Sequence, residues 1–234
     1  MKNFQKISSL LILLILISNC EKKQTELEFE KSVMTEIFPT LVDSICVDCR
    51  TMLPPPPMGE SIFNKNGNYV RTDSTKATKE EKIKYRNWNE ARRKIDRDTS
   101  KVVIAFETKM KWSHFSLKDD FVKHFNGIIV VDAKINQDLE YNFDFRKIRL
   151  NNKFSLKDLS EFPKERDAIW NTKYNFVFSG VLDFSRIQFD KDKRFGVLDA
   201  GFGCGSKFGQ GSRIYIKKIN NKWVIDKIEG TWVS

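Results

Sequence analysis

The sequence predicts an α+β fold: an antiparallel, curved sheet with two N-terminal helices packed against or beside it. Three observations lead there. From Tyr174 to Ser234 apolar residues recur at alternate positions, through FVFSGVLDFSRIQFD, RFGVLDAGFGCGSKFGQGS and RIYIKKINNKWVIDKIEGTWVS. Alternation broken by Gly and Asn-Asn is the pattern of strands with one buried face. Two stretches of helical period precede them, at 27–45 and 78–97. The length of 234 residues, with five Trp and nineteen Phe, suits one core that needs no staple.

The N-terminus sets the location. Lys2 and Lys6 precede an unbroken apolar run from Leu10 to Ile17. Eight residues are too few to span a bilayer and suit the core of a signal peptide. Ile17-Ser18-Asn19-Cys20 follows. It resembles the lipobox of bacterial lipoproteins, with Asn19 standing where that pattern has Gly or Ala. The resemblance implies that Cys20 is acylated and becomes the mature N-terminus, so that the membrane is a partner through the lipid anchor. Residues 1–19 then form the signal peptide, 20–30 a charged tether, and 31–234 a single domain. Lys plus Arg is 41 against 31 Asp plus Glu, a net +10, and loss of Lys2 and Lys6 leaves +8. The lysines are spread rather than blocked, which reads as a solvated surface able to meet a protein or an anionic envelope ligand.

The first helical stripe is Leu27, Val33, Met34, Ile37, Leu41 and Ile45, with Pro39 kinking or restarting it. Residues 50–77 are a Pro-rich and loop segment, beginning with the run Pro54 to Pro57 in polyproline II. Thr78 and Glu81 form a capping box for the second helix, which runs to Arg97. Its apolar face is thin (Ile83, Trp88, Ala91, Ile95). Its far side carries Arg92, Arg93, Lys94 and Arg97, a basic character that can address membranes or polyanions. Strands are expected at 101–110, 128–131 and 139–150, with a short helix from Ser116 and a turn at Asn151-Asn152. The pentapeptide FSLKD occurs at 115–119 and again at 154–158, as if one strand-to-helix junction were used twice. Five closing strands follow from Phe176, with Asn220-Asn221 as a hairpin turn.

The closing stretch, with Ser185, Phe189, Cys204, Gly205, Gly209, Gly211, Lys218, Lys222, Trp223 and Trp232, resembles the end of a loosely defined Bacteroidetes lipoprotein group. That group, in its Flavobacteria-like form, has a CG…GKW pattern. The resemblance implies a bacterial cell-envelope location facing the periplasm or the cell surface. It implies no activity. Here Asn221 replaces the usual Gly, and a second Cys near Gly209 is absent.

Chemistry is sparsely signalled. With Cys20 assigned to lipid, Cys46, Cys49 and Cys204 remain as disulfide candidates. The local pair Cys46–Cys49 is preferred, with a link from Cys204 to that segment as the alternative. Gly201, Gly203, Gly205, Gly209 and Gly211 form a possible ligand loop. No helix follows them, so a bulge or a tight crossing over an aromatic is the plainer reading. His114 and His124 are the only histidines, with Asp119 and Asp120 between them. They offer an acid/base grouping for an envelope hydrolase. Cys46 and Cys49 offer a thiol-redox alternative. No P-loop, GxSxG elbow, dinucleotide fingerprint or metal-ligand spacing occurs, so no cofactor or metal is expected. Export argues against a nucleic-acid partner. The function expected is a non-enzymatic binding or structural module of the envelope.

Overall fold

The structure is a computed structural model that describes residues 24–130, 140–150, 153–165 and 167–234. The signal segment, Cys20, Val131, Leu139 and the Asn151-Asn152 turn lie outside the described residues.

Helix α1 (Glu26–Ile45) begins with a capping box, in which Thr25 and Glu28 satisfy each other's backbone N–H. It continues through Pro39. Its stripe is buried from Val33 onward, with Val33, Met34, Ile37, Phe38, Leu41, Val42 and Ile45 at most 3% exposed, while Leu27 is half-buried. Then come the hairpin β1 (Glu60–Phe63) and β2 (Tyr69–Asp73), and helix α2 (Lys79–Arg97). Next are β3 (Val102–Phe106), β4 (Lys109–Met110), helix α3 (Lys118–His124), β5 (Tyr141–Asn142) and β6 (Phe154–Asp158). A short helix α4 (Ala168–Asn171) precedes β7 (Phe178–Phe184), β8 (Gln188–Phe189), β9 (Phe195–Gly203), β10 (Gly209–Ile219) and β11 (Lys222–Val233).

The main sheet has seven strands in the order β11-β10-β9-β7-β3-β6, with β8 on β9. It is mixed, which corrects the antiparallel expectation. β3 runs parallel to both β6 and β7, whereas β7, β9, β10 and β11 are antiparallel neighbours. The physical reason lies in Val102–Phe106: all five residues are buried. A strand covered on both faces carries no alternation, and such strands are typical of parallel pairing. The sheet is also open, its path ending at β11 and β6, rather than curved on itself.

The second correction concerns the helices. Only α1 packs its stripe against the sheet; α2 has no buried residue. Its thin apolar face cannot hold it on a core, and Ile83 is 48% exposed. The expected strand at 139–150 shrinks to Tyr141–Asn142, because its partner β4 is two residues long. Of the expected strand at 128–131, the described part makes one bridge, Val130 to Asp190. The two copies of FSLKD adopt different structures. Residues 115–119 lead into α3, and Phe154–Asp158 is β6.

α1 covers one sheet face, which presents Ile104, Phe106, Leu182, Phe184, Leu198, Phe202, Ile214 and Ile216. Phe38 meets Phe106 edge-on with ring centroids 5.2 Å apart. One ion pair crosses this layer in full burial. Glu30 of α1 accepts from Arg186 Nη2 at 2.6 Å and from the Ile187 N–H at 3.0 Å. The opposite face is covered in two separate places. Phe162, Ile169 and their aromatic neighbours lie on Val103 and Ala105. α3 lays Leu117, Phe121 and Phe125 on Val197 and Tyr215.

The disulfide joins Cys49 to Cys204, with Cα atoms 5.6 Å apart and a separation of 155 residues. This overturns the local pairing. Cys46 caps α1 and turns into the core, where it is free and 5% exposed. Cys49 sits one turn later, on a segment pinned to β7: its N–H donates to Ser179 Oγ, which donates to the Val47 carbonyl.

Candidate functional site

Between the two clusters on the second sheet face lies a cleft of about 470 Å³. Its lining includes Glu107, Trp112, His114, Asp183, Gly201 and Trp232. The strand register builds it. Phe106 pairs with Leu182 across the parallel strands, so Glu107 and Asp183 follow side by side at the next position. The Glu107 N–H donates to the Leu182 carbonyl at 2.9 Å, which fixes that step. Asp183 faces Gly201 across β7 and β9. A Cβ on Gly201 would stand 2.5 Å from Asp183 Oδ1, so glycine is what admits the carboxylate there. At the rim, the Trp232 indole lies over Gly211 and Gly209; an added Cβ on Gly211 would overlap its Nε1, and one on Gly209 would press on the ring at 3.1 Å.

Asp183 meets solvent at the cleft mouth. Protein atoms enclose it on the other sides, and this enclosure, with the nearby Glu107 charge second, pushes its carboxyl up to about 6. The folded chain therefore holds a proton that the unfolded chain releases from about pH 4 upward. Stability from this group is lost as pH rises from about 4 through 6. Asp183→Asn should raise the melting temperature at pH 7.5 and leave it unchanged at pH 4. A scanning-fluorimetry series in which the variant melts no higher at pH 7.5 would refute this account.

A third cleft carboxylate, Asp199, is neutralised. Asp199 accepts from Arg213 Nε at 2.9 Å and from Ser113 Oγ at 2.6 Å, and Arg213 also pairs with Asp120. These bonds hold the 112–115 loop, so the Trp112 and His114 walls are set by Asp199. Arg186 stacks under Trp112, its Cζ 4.4 Å from the ring centroid.

Of the residues singled out in the sequence, His114 lines the cleft and His124 does not. His124 bonds Asp226 at 2.7 Å and stacks on Tyr215. Asp120 is held by Arg213, and Asp119 lies in the first turn of α3. The structure thus gives His124 and Asp120 other partners and assembles no grouping of the two histidines with Asp119 and Asp120. The glycine stretch is architectural in part. Gly203 and Gly209 pair across β9 and β10, Gly205 takes a φ of +133° in the turn, and Gly201, Gly209 and Gly211 shape the cleft. Cys46 and Cys49 do not bond to each other, and burial, with Asp43 adding, pushes the Cys46 thiol above its ordinary range. Any thiol exchange would run through Cys49–Cys204.

Sequence reasoning missed Glu107 and Asp183, and it singled out Trp232 for the C-terminal resemblance alone, with no role in a site. The one signal was an acid inside the otherwise apolar run FSGVLDF. Among the described residues no group of three His, Cys, Asp or Glu is placed to hold a metal ion. None of the helices there is long and apolar enough to cross a membrane. No family model, curated protein or solved structure matches the chain.

Proposed function

We propose that the chain is a cell-envelope lipoprotein, anchored through Cys20, that binds a saccharide ring in the cleft of Asp183 and Trp232. The observation that carries the binding reading is the Trp232 indole. It lies over Gly209 and Gly211, lines the same cleft as Glu107 and Asp183, and stays 45% exposed. An aromatic plane takes the C–H face of a sugar, and carboxylates accept its hydroxyls. The anchor rests on the leader and the Ile17-Ser18-Asn19-Cys20 pattern.

Titration of the protein with a glucosamine disaccharide and with maltose, read by the indole N–H resonances, tests the binding. At least one sugar should shift Trp232, and Trp232→Ala should weaken that binding at least about tenfold, as loss of an anchoring Trp commonly does. If neither sugar moves any indole resonance at millimolar concentration, the saccharide reading fails. Mass spectrometry of native protein settles the anchor: an unmodified N-terminus at or beyond Cys20 defeats it.

A hydrolase is the second reading, and Asp183 favours it. A carboxyl titrating near 6 beside an acidic neighbour is the arrangement that separates proton donor from acceptor. On that reading Asp183 and Glu107 carry the proton transfers, and Asp183→Asn abolishes turnover of a bound oligosaccharide while leaving binding in place.

A further inference from the structure

Helix α2 has 19 residues and buries none of them. It is held only along one side and at its base. Trp88 Nε1 donates to the Leu53 carbonyl at 3.2 Å, Arg92 donates to the Thr51 carbonyl, and Arg50 pairs with Asp98 at 2.7 Å. Tyr85, Trp88, Arg92 and Ile95 are half-buried and mark the side turned to the body. At about 100° per residue, Lys79, Lys82, Arg86, Arg93 and Arg97 fall within an arc of about 60° on the side turned away. All five are exposed. None forms an ion pair among the described residues, because Glu80 is taken by Lys84 and Asp96 by Arg92. Glu90 lies at the edge of the file.

The file is about 27 Å long, from the helical rise over 18 steps. It places like charges at i, i+4 in Lys82/Arg86 and Arg93/Arg97, which weakens a helix. A helix with no buried face has little packing to offset that. A counter-anion lying along the file removes the repulsion.

We propose that this file of cations is the docking site for a linear acidic polysaccharide bearing carboxylates. A chain fits it better than a plane. An anionic bilayer pressed on this side would also meet Glu90 at the edge of the file. Trp88 and Ile95 face the body, and Ile83 by itself on the outer side is too little apolar surface to insert. No aromatic ring stands on the exposed side to stack the bases of a single-stranded nucleic acid. Three of the five cations are Arg, whose fork matches a carboxylate in bidentate fashion. The inference is independent of the cleft.

The test uses the full chain and a fluorescently labelled ten-residue oligogalacturonate, read by anisotropy at 50 and 200 mM salt. Wild-type protein should bind it, with affinity falling as salt rises. The triple variant R86Q/R93Q/R97Q should bind at least about tenfold more weakly, since an electrostatic contact scales with the charges that make it. A control that removes as much charge elsewhere, K164Q/K173Q/K207Q, should stay within about twofold, because charges beyond a Debye length are screened. Gln keeps helix propensity, and circular dichroism should show unchanged helix content in both variants. The proposal is overturned if wild type fails to bind the oligogalacturonate at 50 mM salt, or if the two triple variants weaken it equally. Tighter binding of a ten-residue oligothymidylate or of phosphatidylglycerol vesicles also overturns it, in favour of that partner.

Discussion

Replacing both Cys49 and Cys204 with Ser lowers the free energy of unfolding by as much as about 5 kcal/mol. The figure follows from the 155-residue separation, because a longer closed loop removes more freedom from the unfolded chain. It is an upper figure, since measured values follow loop length loosely. Urea denaturation of the double variant against wild type measures it. Cys46→Ala is the control, as Cys46 is free. A double variant with the wild-type midpoint would mean that the bond adds nothing to folding.

Glu30→Ala should cost about 3–5 kcal/mol, because it leaves the Arg186 charge in the core without its carboxylate. The Ile187 N–H loses its acceptor in the same step. Glu30 and Arg186 are 2% and 5% exposed, so water cannot make up the loss. Replacing both ends, Glu30→Met with Arg186→Met, should recover much of the stability, since both buried charges are gone. The double variant should still disturb the cleft, because Arg186 supports Trp112. Denaturation midpoints and Trp112 emission separate the two effects. If Glu30→Ala unfolds at the wild-type midpoint, the pair is not what docks α1.

The local signals were legible in the sequence. Val33, Met34, Ile37, Leu41 and Ile45 are buried as their spacing required, and Asn220 and Asn221 take the positive φ values of a hairpin turn. Thr78 and Glu81 cap α2 as a box. What failed were inferences from pattern to partner. VVIAF signals a strand, and its lack of alternation marks a central one, but the pattern does not name the parallel neighbours β6 and β7. Tyr141 and Phe143 alternate with polar residues because they lie on the core, not because a long strand pairs there. FSLKD shows the limit most plainly, since one pentapeptide is a helix approach at 115 and a strand at 154. Neighbours far along the chain decide between them. The cleft was illegible for the same reason. Glu107 and Asp183 are distant in sequence and meet only through the β3–β7 register.

The placement of α1 has a consequence for the order of events during synthesis. It is the first described element to be made, and the surface that receives it comes from β3, β7, β9 and β10. Its buried carboxylate waits for Arg186, and its end is tied down by Cys204. The N-terminal helix therefore has no home until nearly the whole chain exists. Its seven buried apolar side chains stay in water until then, a window in which a holding factor could engage them. Native contacts of such long span also make for slow folding, because the ends of a long chain segment must meet before any reward arrives.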